Sequence, residues 1–571
     1  MIQTRFQFWG GALSVALVAC GANDERPAPT GIGGGEAGVG GGDLGFSLDV
    51  AWLPCSLFTG GSDNRAECAD IEVPLDWSNP QGEVITLFLK RHRGETAGGQ
   101  SWFLTGGPGQ TGADLEPLVE QLVALAPSRT YYLLDHRGVG RSTRLRCPSA
   151  EGVASANSVG LGEGEIAACL ADLRAQWSDE QLSHFSTVNA AHDVGQLIDY
   201  TRAGDEPISL WAGSYGTLWL ERYLGFYPEQ PESVVFAAVA LDVDMLSVDR
   251  YVGDMALRWL AACEANERCG DRFLDAFGQP ARQVAQVHLS GAGASLCPEL
   301  SSLGLSPAVL KPFFGQLLEQ IETRSLFAPL VYRLARCAPE DVLAWQALIQ
   351  AVTPPAGPPE IPYGIRNWGF VLGENISVSE LIEPRTAADV RADYDAAIAV
   401  QGPTPRLLES SELWPRYDAP PFGLSAYRGA TLMLHGEFDF LPESVFRRAV
   451  DHYVDGPAQA DFVRLPHATH SLESPTDGGG QCGLSLAVSR LLDAAAEVAP
   501  CAEQILSPTF APPPTVSSAF LGTDDPWDGV PVAAVTAGTS YDPTRSRGPV
   551  AVPRWPLTLE VKSGSVFSDA D

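Results

Sequence analysis

The sequence predicts an α/β fold: a mostly parallel central sheet covered on both faces by helices, with a large, mainly helical insertion. Three observations carry that expectation. Short apolar runs alternate with helical patterns, the order that builds a parallel sheet. Several of these runs end in glycine-rich or acidic turns, and α/β sheets carry their functional loops at the carboxyl ends of strands. About 190 residues separate the buried run Val234–Leu241 from the next one, Ala430–Leu434, far more than a neighbouring strand needs.

In chain order, Ile71–Leu75 and Val84–Leu89 read as strands around a Ser-Asn-Pro-Gln-Gly turn. Trp102–Leu104, Tyr131–Leu134 and Ile208–Trp211 follow, with helical patterns over Leu115–Leu125 and Ala190–Thr201 between them. Amphipathic stretches at Met255–Ala262, Val309–Ile321, Leu330–Arg336 and Val342–Val352 predict a helical cap over 245–427, inserted between core segments 47–244 and 428–508. A last strand at Phe462–Leu465 and a helix near Leu484–Ala495 close the core. The tail, 509–571, is rich in Pro, Gly, Thr and Asp and is assigned no role.

The 571 residues carry a net charge of −33, from 37 Lys and Arg against 70 Asp and Glu. So acidic a surface repels nucleic acid and anionic membranes, which removes both as partners of the folded part. At the start, Arg5 precedes an apolar run, Trp9–Ala19, too short to span a bilayer and of the length of an export signal. It ends in Leu17-Val18-Ala19-Cys20-Gly21, which resembles a bacterial lipobox with Cys20 as the lipidated residue. The Gly- and Pro-rich stretch 21–46 then reads as a flexible tether from the cell envelope. Of 11 cysteines, the ten beyond Cys20 suit disulfides in an exported chain. Pairing neighbours gives 55–68, 147–169, 263–269, 297–337 and 482–501, although sequence alone leaves connectivity open. No cysteine spacing matches a zinc site, and neither metal nor cofactor is expected.

The chemistry centres on Trp211-Ala212-Gly213-Ser214-Tyr215-Gly216-Thr217, where an apolar run turns into the helical segment Leu218–Tyr227. Small residues around a serine at a strand-to-helix turn are the signature of a nucleophile elbow. A serine hydroxyl needs a base to take its proton and an acid to orient the base. In this chain order the base comes last, at His467 or His470. The acid is best placed at Asp439, with Glu437, Asp242 and Asp244 as rivals. Thr105-Gly106-Gly107-Pro108-Gly109-Gln110-Thr111-Gly112 supplies an oxyanion turn, and the expected donors are the amides of Gly107 and Tyr215. No Gly-Lys-Ser/Thr follows it, which disfavours a phosphate cradle.

Together these pieces resemble the prolyl and tripeptidyl aminopeptidase group of α/β-hydrolases, especially its exported bacterial branch. The likeness rests on Gly106-Gly107-Pro108-Gly109, on Asp135-His136-Arg137-Gly138-Val139-Gly140-Arg141-Ser142 with Cys147 after it, and on Gly213–Thr217 followed by Arg222-Tyr223 and Pro228. Gly436-Glu437-Phe438-Asp439, His470 and the cysteines 482 and 501 complete it, over roughly 50–508. The resemblance implies an α/β-hydrolase fold with a helical cap, and a triad of Ser214, Asp439 and His470. It also implies cap carboxylates that bind a substrate amine, with Glu360, Glu374, Glu380 and Glu383 as candidates. The sequence departs from the group's pattern at Ala212, at His136, after Asp439, and at Thr469. The expected substrate is a peptide or a small acyl compound, and a catalytically silent surface binding protein is the reading from another class. Metabolic labelling with a palmitate analogue is expected to mark the chain, and Cys20→Ser to abolish the label.

Overall fold

Among the described residues, nine strands form one sheet in the order β1-β2-β3-β5-β4-β6-β7-β8-β9. They are β1 Leu53–Cys55, β2 Ala66–Pro74, β3 Val84–His92, β4 Gln100–Leu104, β5 Thr130–Leu134, β6 Ile208–Gly213, β7 Ser233–Ala237, β8 Ala430–Gly436 and β9 Ala460–Leu465. β1, β2, β3 and β5 pair antiparallel. From β5 onward every pair is parallel, so β4, β6, β7, β8 and β9 end at one edge. This computed structural model describes residues 46–531, apart from 97, 152–159, 322, 353–366, 422, 457–458, 473–477, 498–500, 502–504 and 506–507. The export segment, Cys20, most of the tether and Glu360 lie outside the described residues.

The central strands are apolar without alternation because both faces are covered. Trp102, Leu104, Tyr132, Leu134, Leu210 and Phe236 face one core, with the helices Thr187–Thr201 and Tyr215–Phe226. Their chain neighbours Phe103, Tyr131, Leu133, Trp211 and Val235 face the other, against Glu116–Leu125 and Gly478–Leu492. The period-two alternation of side chains sorts each run between the two layers.

The described helices between β7 and β8 include Val248–Glu264, Pro307–Glu319, Phe327–Arg336, Pro339–Val352 and Phe370–Glu380; many apolar residues of the first four form a separate core, whereas Val371, Leu372, Ile376 and Val378 of the last join a core of the sheet. A helix covers each of the four expected cap stretches; three are extended, while Pro307–Glu319 starts two residues before Val309 and stops two short of Ile321. The expected strand Val234–Leu241 is shorter: β7 stops at Ala237, and Ala238 at φ 52° turns the chain away. The tail, assigned no role from its sequence, has a packed first part. Pro514–Leu521 is a helix against Pro339–Val352, and Phe510, Leu521 and Trp527 are buried in the cap core. Arg333, fully buried, holds this strap by donating to the carbonyls of Pro526 and Gly529 while pairing with Asp341 at 2.9 Å.

Five disulfides join the neighbouring cysteines: 55–68, 147–169, 263–269, 297–337 and 482–501. They mark a chain that folds in an oxidising compartment. Among the described residues, no helix is long and apolar enough to cross a membrane. The one group of His, Cys, Asp and Glu side chains close enough to share an ion, again among the described residues, is Cys297, Glu299 and Cys337, whose sulfurs form a disulfide.

Under the sheet edge, Arg137 is fully buried and grips Asp193 by two bonds, Nε to Oδ2 at 2.8 Å and Nη2 to Oδ1 at 2.6 Å. Its remaining N–H groups donate to the carbonyls of Leu75, His184 and Pro74, and Trp77 Nε1 donates to Asp193 at 2.8 Å. Removing one partner strands the other as an uncompensated buried charge. Asp193→Ala is therefore expected to cost about 3–5 kcal/mol, read as a lower urea midpoint.

Candidate active site

Ser214 follows β6 and precedes the Tyr215–Phe226 helix, with φ 54° and ψ −128°. That region is disfavoured for any side chain, and it persists only where the surroundings over-determine it. Here they do. Ser214 N donates to Ala237 O at 2.9 Å, and Thr217 N donates back to Ser214 O at 2.8 Å. A Cβ on Gly216 would stand 2.4 Å from the carbonyl oxygen of Leu104, so only glycine lets the helix start against the end of β4. The serine makes no capping bond to its helix.

The glycine turn after β4 meets the elbow directly: a Cβ on Gly106 would lie 3.0 Å from Ser214 Cβ. Gln110 braces this turn, its Oε1 accepting from Gly106 N at 3.0 Å and its carbonyl accepting from Thr105 Oγ1 at 2.9 Å. Gly107 sits at φ 107°, and its peptide bond to Pro108 is cis. The turn is tied to the Asp135–Ser142 motif, because Asp135 accepts from Gly112 N at 2.8 Å and from Arg141 N at 2.9 Å. The cap leans on it as well: Gly369 N donates to Gly109 O at 2.7 Å.

Asp439 and His470 meet. His470 Nδ1 lies 2.9 Å from Asp439 Oδ1 and 3.0 Å from Oδ2. A carboxylate only accepts, so Nδ1 carries the proton and Nε2 is the basic nitrogen. Asp439 is 1% exposed, and Leu441 N donates to its Oδ1 at 2.9 Å. Burial by itself would raise this carboxyl; the neighbouring His470 and His435, with the bonds from His470 and Leu441, outweigh it and hold it below the usual range. His435 donates from Nε2 to Leu441 O at 3.0 Å, leaving Nδ1 at 3.8 Å from Asp439 Oδ2. Phe440 packs on the His470 ring with centroids 4.6 Å apart.

The topology explains the convergence. Ser214 ends β6, the acid loop follows β8 and the histidine loop follows β9, and these strands run parallel to one edge. Phe438 N donates to Ala468 O at 2.9 Å, pinning the acid loop to the histidine loop.

The rival residues are engaged elsewhere. Asp242 pairs with Arg448 at 2.7 Å, and Asp244 accepts from Ser247 Oγ at 2.6 Å. Both line a polar cleft with Glu383, which contains none of Ser214, Asp439 and His470. Glu437 accepts from His467 N at 3.0 Å. Of the other cap carboxylates, Glu374 is buried against Arg406, and Glu380 accepts from Thr187 N at 2.9 Å and Tyr417 Oη at 2.6 Å. The carboxylate that senses both His470 and Asp439 is Glu319, at the end of Pro307–Glu319 and bonded by Gln401. Burial, with the charge of Asp439, raises its pKa. No local motif marks Glu319, because the packing of the insertion alone brings it there.

This is the α/β-hydrolase fold. The family model of that fold matches residues 103–271. The chain is similar to the tripeptidyl aminopeptidase of Streptomyces lividans, 26% identical over 237 residues, covering 36% of this chain and 43% of that protein. It is also similar to the serine protease Hip1 of Mycobacterium tuberculosis H37Rv, 27% identical over 343 residues, covering 55% and 56%. The chain thus spans about half the length of these curated relatives. Among solved structures, proline iminopeptidase of Mycobacterium smegmatis aligns over 74% of this chain and 97% of that one, with 14% identity and a TM-score of 0.34.

Behind the elbow, His136 donates from Nδ1 to Arg137 O at 2.7 Å, so its Nε2 accepts from Tyr215 Oη at 3.3 Å. Burial lowers its pKa to about 4, from an ordinary 6.5. As pH falls through that window the unfolded chain takes a proton that the folded one refuses, so folding stability drops. His136→Asn is expected to flatten the loss of stability between pH 6.5 and 4, measured by urea unfolding at each pH.

Proposed function

We propose that this protein is an exported serine hydrolase that removes short fragments from the N-terminus of peptides. Ser214 is the nucleophile, His470 the base and Asp439 the acid, with the amides of Gly107 and Tyr215 as the oxyanion hole. The observation that carries the reading is the buried Asp439 bound to His470 Nδ1, on the same sheet edge as a serine held at φ 54°. Names carried by the relatives, a tripeptidyl aminopeptidase and a serine protease, support peptide over ester substrates.

In this mechanism His470 Nε2 takes the Ser214 proton as Oγ bonds to the scissile carbonyl carbon. The carbonyl electron pair moves to oxygen, where the two amides stabilise it. The C–N bond then breaks, and the leaving amine departs with the proton from His470. Water repeats the sequence on the acyl-enzyme and frees Ser214. Asp439 holds the imidazole tautomer and stabilises its cation. Glu319, within reach of the pair's field, is the carboxylate suited to a substrate's free ammonium. Cys20 anchors the chain to the envelope, and 245–427 caps a core made of 47–244 and 428–508.

A fluorophosphonate probe is expected to label the native chain and not Ser214→Ala; an unlabelled native chain excludes the serine hydrolase. On a panel of aminoacyl and tripeptidyl amides beside short acyl esters, the free-amine peptides are expected to turn over. Glu319→Gln should raise KM for them more than for esters. Turnover of esters alone assigns an esterase instead.

A further inference from the structure

Two arginines of the helical insertion reach into the loops that carry the acid and the base. Arg258, on the helix Val248–Glu264, donates from Nη2 to the main-chain carbonyl of Asp439 at 2.5 Å. Arg324, in the turn Arg324–Leu326, donates to the main-chain carbonyl of His467. Trp259, next to Arg258 on the same helix, packs beside Arg324. Its ring packs edge-on against Phe438 at 5.0 Å and Phe510 at 5.1 Å, and the Arg324 guanidinium lies 4.9 Å from its centroid. One aromatic residue of the insertion is thus wedged between the acid loop and the C-terminal strap, with the Arg324 cation on its ring.

We infer that Arg258 and Arg324 are positioning residues through which the cap sets the Asp439–His470 pair; the inference rests on the triad proposed above. Apart from these arginines the acid loop is held by its own turn, by the histidine loop and by the end of β9, where Glu437 N donates to Leu465 O at 2.9 Å. Asp439 N donates to Gly436 O at 3.2 Å, and Phe438 N to Ala468 O at 2.9 Å. The guanidinium of Arg258 adds a tether from the cap, at the main chain of the acid itself. It adds charge as well. Arg258 faces Asp439, Asp254 and Glu437, with Arg464 as the opposing cation, while Arg324 faces His467 and through it Glu437. His435 and Glu319 are the other titratable groups that face the pair. A cation at Arg258 favours ionised Asp439 and disfavours protonated His470, so its removal makes His470 easier to protonate.

The test measures the rate of fluorophosphonate labelling against pH in the full chain, for R258M, R258K and R324M, with the melting temperature of each. R258M is expected to label about tenfold or more slowly, since small misplacements of catalytic groups cost up to about 100-fold. Its acid limb should move to higher pH. R258K, which restores the charge without the planar fork, should bring the limb back toward the native position. R324M should slow labelling with a smaller shift, because its cation faces His467. Native rates and limbs in both R258M and R324M overturn the inference. So does a loss in R258M that leaves the limb in place and is not restored by R258K, which assigns Arg258 to packing alone. Should R258M not fold, R258K and R324M decide the matter in the same way. An unlabelled native chain instead overturns the underlying triad, an outcome distinct from native labelling in the variants.

Discussion

The site depends on one close approach of backbones. The end of β4 and the start of the Tyr215–Phe226 helix come together with no room for a side chain at Gly216, whose Cβ would sit 2.4 Å from Leu104 O. That contact brings the strained Ser214 against the Gly106–Gly109 turn. Hydrogen bonds from neighbouring strands then hold the strain in place: Ser214 N is bonded to the end of β7, and Ala238 N to Leu434 O at the end of β8. A loop would relax. A turn locked between parallel strands cannot, and in the proposed reaction a hydroxyl so held would meet the substrate without reorganisation.

Several buried charged groups around this turn are linked to one another in a connected way. Asp135 ties the glycine turn to the Arg137–Ser142 segment, Arg137 ties that segment to Asp193, and Asp193 lies on the helix that packs against the elbow helix. Such a chain of charge-assisted bonds adds little net stability against an apolar alternative, yet breaking it in one place is costly. It also accounts for why one octapeptide, Asp135–Ser142, holds three different jobs: a tether for the glycine turn, a buried cation, and the neutral His136 behind Tyr215.

The helical insertion is more than a cover. Its core is continuous with Phe438, Phe440 and Leu441 of the acid loop and with Phe510, Leu521 and Trp527 of the C-terminal strap. Three segments distant in sequence therefore share one apolar cluster beside the Asp439–His470 pair. This sharing couples the acid's position to the packing of the cap, whatever substrate the cleft receives.

Much of this was legible in the sequence. Strands, elbow, glycine turn and the neighbouring disulfide pairs follow from local pattern, because periodicity, turn chemistry and short loops act over a few residues. Asp439 stood out from Glu437 by position alone, and the sheet gives the reason, since Asp439 reaches His470 while Glu437 is drawn to His467 N. Tertiary structure alone decided the rest. Glu319 and Arg258 sit on helices whose sequence shows only amphipathic spacing, Arg324 sits in a short turn between two such stretches, and their proximity to the pair depends on how the insertion folds back over the strand ends. The tail's composition suggested no role for it, yet Arg333 and an apolar cluster fold its first part onto the cap. Local pattern determines which residue types can do chemistry and where the chain turns; long-range packing determines which of them meet.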